Sequence, residues 1–182
     1  IRIPTAFVGG IRSVEVTGEA YFEIGDEPDK PFVVETGGVK IEVLGTHFNV
    51  NAYSDEAHVE TTLTEGSIKV SKGAASRMLK PGQQAYTDRK TGDIAVGEAN
   101  VDEVLAWKNG LFYFDNTNIK TIMREISRWY NVQVVYKGDE ADQNTFSGVM
   151  SRYGDVEALL KRLELTGTVH FTITGTQITV SG

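Results

Sequence analysis

The sequence has 182 residues, a formal net charge of -7 and no cysteine. Its 18 basic residues form no clustered run of the kind that phosphate recognition needs, which excludes a nucleic-acid-binding surface. The lack of cysteine excludes disulfides, thiol catalysis and thiolate metal sites.

The first residue is Ile1 rather than Met, which is typical of a piece taken from a longer protein. No run in the sequence approaches the roughly 18 apolar residues that a membrane helix needs. We therefore expect any membrane anchor to lie outside this fragment.

Residues 1–99 predict an all-β domain. Short stretches rich in Val, Ile, Tyr, Phe and Thr alternate apolar and polar residues, and glycines and prolines separate them. Examples are Val14–Val16, Tyr21–Ile24, Lys40–Val43 and Ser67–Val70. Because one face of such a sheet must be covered, a sandwich, a jelly roll or a short β-solenoid would each satisfy the pattern.

Four glycines of this domain are expected to serve its backbone geometry. Glycine adopts positive φ without strain and lets two backbones approach closely, as turns and bulges require. Replacing one should therefore damage folding before function. These glycines are Gly18, Gly45, Gly66 and Gly82.

The periodicity changes after residue 99. Asn100 is placed to cap a short helix over Val101–Trp107, and we assign residues 100–109 to a short helical linker. Residues 110–182 predict a small α/β domain with the element order β-α-β-β-α-β-β. The fold class is therefore mainly β with α+β.

Two helices of this second domain carry apolar stripes that only a neighbouring sheet can cover, which predicts a two-layer domain with an exposed sheet edge. Asp155 or Gly154 is placed to cap the second helix, and Gly167 is placed to end it. Thr174–Thr176 predicts the turn of a final hairpin. The stripe of the first helix consists of Ile119, Ile122, Met123, Ile126, Trp129 and Tyr130, and that of the second of Val156, Leu159, Leu160 and Leu163.

No pattern in the sequence assigns a catalytic, cofactor-binding or metal-binding residue. His47, His58 and His170 have no spacing that places two of them on one helix face, and we expect ordinary surface or core positions for them. Two acidic pairs lack the spacing of a calcium loop and are expected to be solvated: Asp26 with Glu27, and Glu140 with Asp142. We predict no cofactor and no enzymatic activity.

Binding through an exposed strand edge is the activity that the predicted architecture favours, because main-chain hydrogen bonds can attach a partner strand there. The predicted edges are the C-terminal hairpin, residues 168–181, and the strand that contains Phe146. The residues that bind a partner stay unknown at this level. The aromatic residues are expected mainly in the core, with part of Trp129 or Tyr130 reaching the surface; the others are Phe112 and Phe114.

Several motifs in the first domain, taken in order, resemble the FecR family of anti-sigma regulators. Together they extend over most of the first half of the sequence. They are the blocks Val16–Ile24, Lys30–Thr36, Val43–Val50, Leu63–Val70 and Leu79–Ala85.

The second domain resembles the one that follows FecR in Bacteroidetes-type members. The resemblance is carried by Trp107–Phe114, by the helix end Ile126–Val132 and by Phe146–Gly148. The element order is also similar to the short N-terminal signalling domain of secretins and TonB-dependent receptors.

The resemblance implies the periplasmic region of a single-pass inner-membrane protein. A cytoplasmic segment, missing from this fragment, would hold a sigma factor. The signalling domain of a TonB-dependent outer-membrane transporter would contact the periplasmic region, and the signal would release the sigma factor.

Two other function classes are compatible with a compact β-domain. A carbohydrate-binding protein would use aromatic side chains and carboxylates, and fold analogy alone motivates it. A glycosidase would need only two well-placed carboxylates, which the sequence does not exclude.

Overall fold

The structure is a computed structural model, and it describes residues 1–7, 9–138, 145–165 and 169–182. The chain divides into two compact units, Ile1–Leu105 and Ala106–Gly182. This division falls inside residues 100–109, the stretch that the sequence assigns to a linker. The predicted Gly167 helix end and the acidic pair at Glu140 and Asp142 lie outside the described residues.

The described residues of the first unit form ten strands and a final four-residue helix, α1 (Val101–Val104), whose first turn is capped by the Asn100 side chain as predicted. The strands are β1 (Arg12–Glu15), β2 (Gly18–Ile24), β3 (Phe32–Thr36), β4 (Val39–Val43), β5 (Thr46–Ala52), β6 (His58–Glu65), β7 (Ile68–Lys72), β8 (Ala75–Leu79), β9 (Gln83–Asp88) and β10 (Ile94–Glu98).

These strands form two five-stranded sheets, in the orders β1-β3-β4-β7-β8 and β10-β9-β6-β5-β2. Both sheets contribute to one hydrophobic core, so the unit is a sandwich, one of the three architectures that the pattern left open. Strand β4 illustrates how the core is formed. Its apolar residues Val39, Ile41 and Val43 are buried, whereas the alternating residues Lys40 and Glu42 are more exposed. Within these two sheets, every pairing is antiparallel except that of β1 with β3.

One corner of the sandwich depends on two glycines. Gly66 has a φ of +91°, and a β-carbon there would lie 2.5 Å from the carbonyl oxygen of Gly45. A β-carbon on Gly45 would in turn lie 2.8 Å from the Cα atom of Asp26. The connections β4–β5 and β6–β7 therefore cross at a distance that only glycine allows.

The second unit has the predicted order of strands and helices, preceded by a short 3₁₀ helix (Ala106–Asn109). Asn118 and Asp155 cap the two longer helices, and Asn131 ends the first of them with a φ of 53°. The elements are β11 (Leu111–Asn118), α2 (Ile119–Tyr130), β12 (Gln133–Lys137), β13 (Thr145–Ser151), α3 (Val156–Glu164), β14 (His170–Thr174) and β15 (Gln177–Ser181).

The strands of this unit divide into a two-stranded sheet, β11-β13, and a three-stranded sheet, β12-β15-β14. The mainly β, α+β fold class is confirmed, while the division into two sheets is not visible in the strand periodicity. Both sheets and both helices share one core, in which Phe112, Ile122, Leu160 and Ile178 are almost completely buried.

Candidate partner-binding site

The structure does not bring the three histidines together. His47 and His58 lie at opposite ends of the paired strands β5 and β6, and His170 lies in the second unit. Each of the first two faces one carboxylate: His47 Nδ1 is 3.1 Å from Glu65 and His58 Nε2 is 3.9 Å from Asp88. Within the described residues, no group of three or more His, Asp or Glu side chains is placed to hold a metal ion.

The described acidic pair, Asp26 with Glu27, does not act as a unit. Asp26 lines an open cleft of about 530 Å³ at the glycine corner, together with His47 and Glu65. The Glu27 carboxylate accepts a hydrogen bond from the Arg12 guanidinium at 3.0 Å. The two neighbouring carboxylates thus have separate surroundings.

The sequence reasoning missed a partly buried carboxyl group in the sandwich, that of Glu60. Burial raises its pKa above the ordinary value, and the nearby Glu56 carboxylate adds to the effect. The side-chain amide of Gln84 donates a hydrogen bond to it at 2.9 Å. Glu60 occupies a polar position of an alternating strand, so the pattern indicated a solvated side chain.

The pKa of the Asp88 carboxyl group is shifted in the opposite direction to that of Glu60, below its ordinary value. Hydrogen bonds from the backbone N–H groups of Thr91 and Lys90, both at 2.7 Å, lower the pKa of its carboxyl group. The side chain closes the turn after β9, which is a structural role of a kind common for Asp in loops.

In the second unit an arginine organises the connection between β13 and α3. The Arg152 guanidinium lies 4.3 Å from the centre of the Phe112 ring and 5.4 Å from that of Trp129. It donates hydrogen bonds to the Leu111 carbonyl at 2.8 Å and to the Glu125 carboxylate at 3.2 Å. The sequence contains no motif around Arg152 that signals this role.

Two aromatic side chains reach the surface beside it. Trp129 is 42% exposed and Tyr153 is 79% exposed, and their rings form an edge-to-face pair with centres 6.1 Å apart. The Trp129 indole N–H donates to the Arg152 carbonyl at 2.7 Å, which fixes the ring. The sequence predicted that part of Trp129 or Tyr130 could reach the surface, whereas Phe112 and Phe114 are buried.

The strand edges of the second unit follow from its sheet orders. In the three-stranded sheet β15 is central, so β12 and β14 are its edges among the described strands. Of the predicted C-terminal hairpin, therefore, only β14 presents an edge. β13, which contains Phe146, belongs to the two-stranded sheet, in which each strand has one side that no other described strand pairs with.

Four clefts lined by described residues are small or open. They measure about 530, 480, 340 and 90 Å³, and no Trp, Tyr or Phe side chain lines any of the four. In the part of the chain that the structure describes, no helix combines the length and apolar character required to cross a bilayer.

Comparison with known proteins gives matches to both units. The family model described as "FecR protein" matches residues 4–69, and the model "FecR, C-terminal" matches residues 111–180. Two crystal structures of a candidate anti-sigma factor from Parabacteroides distasonis are similar to this chain, with TM-scores of 0.87 and 0.86. Each is 27% identical in sequence, and each alignment covers 98% of this chain and 84% of the other. A search of curated proteins found no match.

Proposed function

Because the chain belongs to the FecR family, a family of regulatory proteins, we propose that it is the periplasmic sensor portion of a transmembrane anti-sigma factor. In this proposal it binds the signalling domain of a TonB-dependent outer-membrane transporter. The binding controls release of a sigma factor, which is held by a cytoplasmic segment outside this fragment.

The observation that carries the proposal is the ordered match of two FecR models to the two units of the chain. The similarity to a candidate anti-sigma factor extends over 98% of the chain, so it includes both units. A protein of this class acts by binding, and exposed strand edges and the Trp129–Tyr153 pair are surfaces on which a protein partner can dock.

Titration calorimetry with the signalling domain of a transporter encoded beside this protein tests the proposal. We expect a saturable one-to-one complex with that domain. The control is the signalling domain of a transporter encoded elsewhere in the same genome, which should bind at least tenfold more weakly. Absence of binding to the neighbouring domain, with both proteins folded, would contradict the proposal.

Carbohydrate binding remains the alternative from another class, and the structure offers little specific support for it. Sugar sites generally need concave surfaces with apolar or aromatic lining, and the exposed pair Trp129 and Tyr153 lines none of the four clefts. A thermal-shift screen against a glycan panel distinguishes the two classes, since a glycan that raises the melting temperature would favour this alternative.

A further inference from the structure

We propose that the groove between α3 and the outer edge of β14 accepts an extended strand of a partner protein, and that the Glu164 side chain covers this edge while the groove is empty. The proposal rests on the proposed function for the identity of the natural partner. Its physical basis is independent of that identity, because it lies in the hydrogen bonds and charges around β14.

The pairing of β14 with β15 shows which backbone groups face outwards. Thr174 and Gln177 flank a two-residue turn, so they form a hydrogen-bonded pair of the hairpin. Because such pairs alternate along an antiparallel ladder, Phe171 and Ile173 are non-hydrogen-bonded positions. Their N–H and C=O groups therefore point away from β15, towards the free side of the sheet.

Glu164 already occupies one of these outward positions. Its carboxylate accepts a hydrogen bond from the backbone N–H of Phe171 at 2.7 Å. A carbonyl oxygen of an added strand would take the same place. The glutamate thus satisfies an edge donor, and a partner strand must displace it to pair along the full length of β14.

The next outward position of β14 is Ile173, whose backbone groups are available to a partner strand. Within the described residues, no hydrogen bond outside the pairing of β14 with β15 involves the N–H or C=O group of Ile173, and 38% of this residue is exposed. β14 also contains no Lys, Pro or Gly, which are the residues that commonly protect a sheet edge. Ile173 is therefore where pairing with an incoming strand can begin.

The groove beside this edge defines the side chains that a partner strand would carry. It has a volume of about 480 Å³ and is lined by Lys161, Arg162, Glu164, Leu165 and His170. Leu165 is 87% exposed, which favours an apolar partner side chain over it. The occupant that fits is an extended strand with an apolar and an acidic residue on the face directed at α3.

The acidic preference follows from the cations in the groove. The Lys161 ammonium lies 3.0 Å from the Glu157 carboxylate, whereas Arg162 has no ion pair among the described residues. Once Glu164 turns away from Phe171, the groove keeps the two cationic side chains of Lys161 and Arg162. A partner carboxylate would complete this arrangement.

The other edge of the same sheet is less suited to strand addition. β12 ends in Lys137, and the Lys120 ammonium lies over the Tyr136 ring at 5.6 Å from its centre. In the two-stranded sheet, the pairing of β13 with β11 is interrupted between Phe114 and Thr117. An irregular ladder is a poor template for a continuous added strand.

A tethered probe tests the edge without requiring the natural partner. A strand of sequence Thr-Val-Thr-Glu-Thr-Val is attached after Gly182 through a Gly/Ser linker of about twelve residues, long enough to reach β14 in either direction. We expect slower amide exchange at Ile173 and cross-strand NOEs to β14. Glu164→Ala should increase the slowing about tenfold, because it removes a charge-assisted hydrogen bond that competes with the strand. In Glu164→Gln, which keeps an acceptor oxygen, the slowing of exchange at Ile173 should lie between that of the wild type and that of Glu164→Ala.

Three control variants separate edge pairing from general effects. Ile173→Pro removes the outward N–H and should abolish the NOEs. In β12 the N–H of Gln133 bonds to the Thr176 carbonyl beside β15, so the N–H of the next residue, Val134, points to the free side. Val134→Pro therefore makes the matched change on β12 and should leave the NOEs. Replacing the Glu of the probe by Lys should weaken the pairing. Unchanged exchange at Ile173 in the tethered Glu164→Ala chain, or NOEs to β12 instead of β14, would overturn the proposal.

The natural partner is tested separately with the neighbouring transporter's signalling domain. Binding that falls at least tenfold in Ile173→Pro and persists in Val134→Pro supports the use of this edge. Equal binding by both variants and the wild type overturns that use and leaves the proposed function standing. No binding by the wild type contradicts the proposed function, and the tethered strand still decides whether the edge accepts a strand.

Discussion

The guanidinium of Arg152 lies 4.3 Å from the centre of the Phe112 ring, and the side chain is only 12% exposed. The contact joins the connection after β13 to β11, the first strand of the second unit. Since the same guanidinium also bonds the Leu111 carbonyl and the Glu125 carboxylate, one side chain ties three segments together.

Arg152→Ala should therefore destabilise the second unit by about 2–3 kcal/mol, because a nearly buried cation–π contact and charge-assisted hydrogen bonds are lost together. Chemical denaturation followed by tryptophan fluorescence measures the change, since Trp107 and Trp129 both belong to the second unit. Arg162→Ala is the control, an exposed arginine whose removal should cost less than about 0.5 kcal/mol. Equal stability of the two variants would show that the Arg152 contacts contribute nothing measurable.

Gly66→Ala should cost the sandwich about 2–4 kcal/mol, since it adds a steric contact to the strain of a positive φ. Gly73 also has a positive φ, 57°, but a β-carbon there meets nothing within 4 Å. Gly73→Ala should consequently cost only about 1 kcal/mol, the cost of the left-handed conformation. Thermal denaturation of both variants separates the cost of the steric contact from the cost of the left-handed conformation. Identical melting temperatures would contradict the close approach of Gly66 to Gly45.

The sequence predicts this fold well where burial follows one face of an element. Lys40–Val43 alternates in the structure as it does in the sequence, and the order of strands and helices after Gly110 is as predicted. The division of the strands between sheets was not predictable, because periodicity fixes which face of a strand is buried and not which strand lies beside it.

The candidate site was less predictable for the same reason. The sequence indicated the C-terminal hairpin, and the structure distinguishes its edge strand β14 from its central strand β15. The bond between Glu164 and Phe171 joins a helix end to a strand edge, and no spacing rule for a single element anticipates it. Arg152 and Glu60 were missed because a lone charged residue in a strand or loop ordinarily indicates solvent exposure.

Glu60 should make the stability of the sandwich depend on pH. Because burial raises its pKa in the folded chain, the folded state binds the proton more tightly than the unfolded state. Its contribution is thus fully favourable below pH 4.5, the ordinary value, and is lost as the pH rises through the raised pKa. Glu60→Gln should remove this loss. The free energy of unfolding of the variant, compared with that of the wild type, should therefore be higher at pH 7 than at pH 4.

Urea denaturation of wild type and variant between pH 4 and pH 8 measures the difference. Glu35→Gln, which changes an exposed carboxylate of β3, is the control and should leave the pH profile of the wild type intact. A Glu60→Gln profile parallel to the wild type would mean that the carboxyl group ionises freely in the folded chain.

The two units should fold independently when the chain is divided after Leu105. The core of the first unit uses residues from Val14 to Ile94, and that of the second uses residues from Phe112 to Val180, so no core residue is shared. Separate fragments 1–105 and 106–182 should each show a cooperative thermal transition by circular dichroism, the second with a helical signal. A fragment that melts without cooperativity would show that its core depends on the other unit.

The segment Gly45–Asn49, which carries part of the resemblance to FecR, should owe its importance to packing rather than to its histidine. Phe48 is completely buried and stacks on Phe22 with ring centres 4.9 Å apart, so Phe48→Ala should cost about 3–5 kcal/mol. The neighbouring His47 ring lies 3.1 Å from the carboxylate of Glu65, which is 75% exposed, and His47→Ala should cost less than about 1 kcal/mol. Denaturation of the two variants gives these values, and binding of the signalling domain that we propose as the partner should be kept by His47→Ala. Loss of that binding in a folded His47→Ala protein would instead place the histidine in the partner interface.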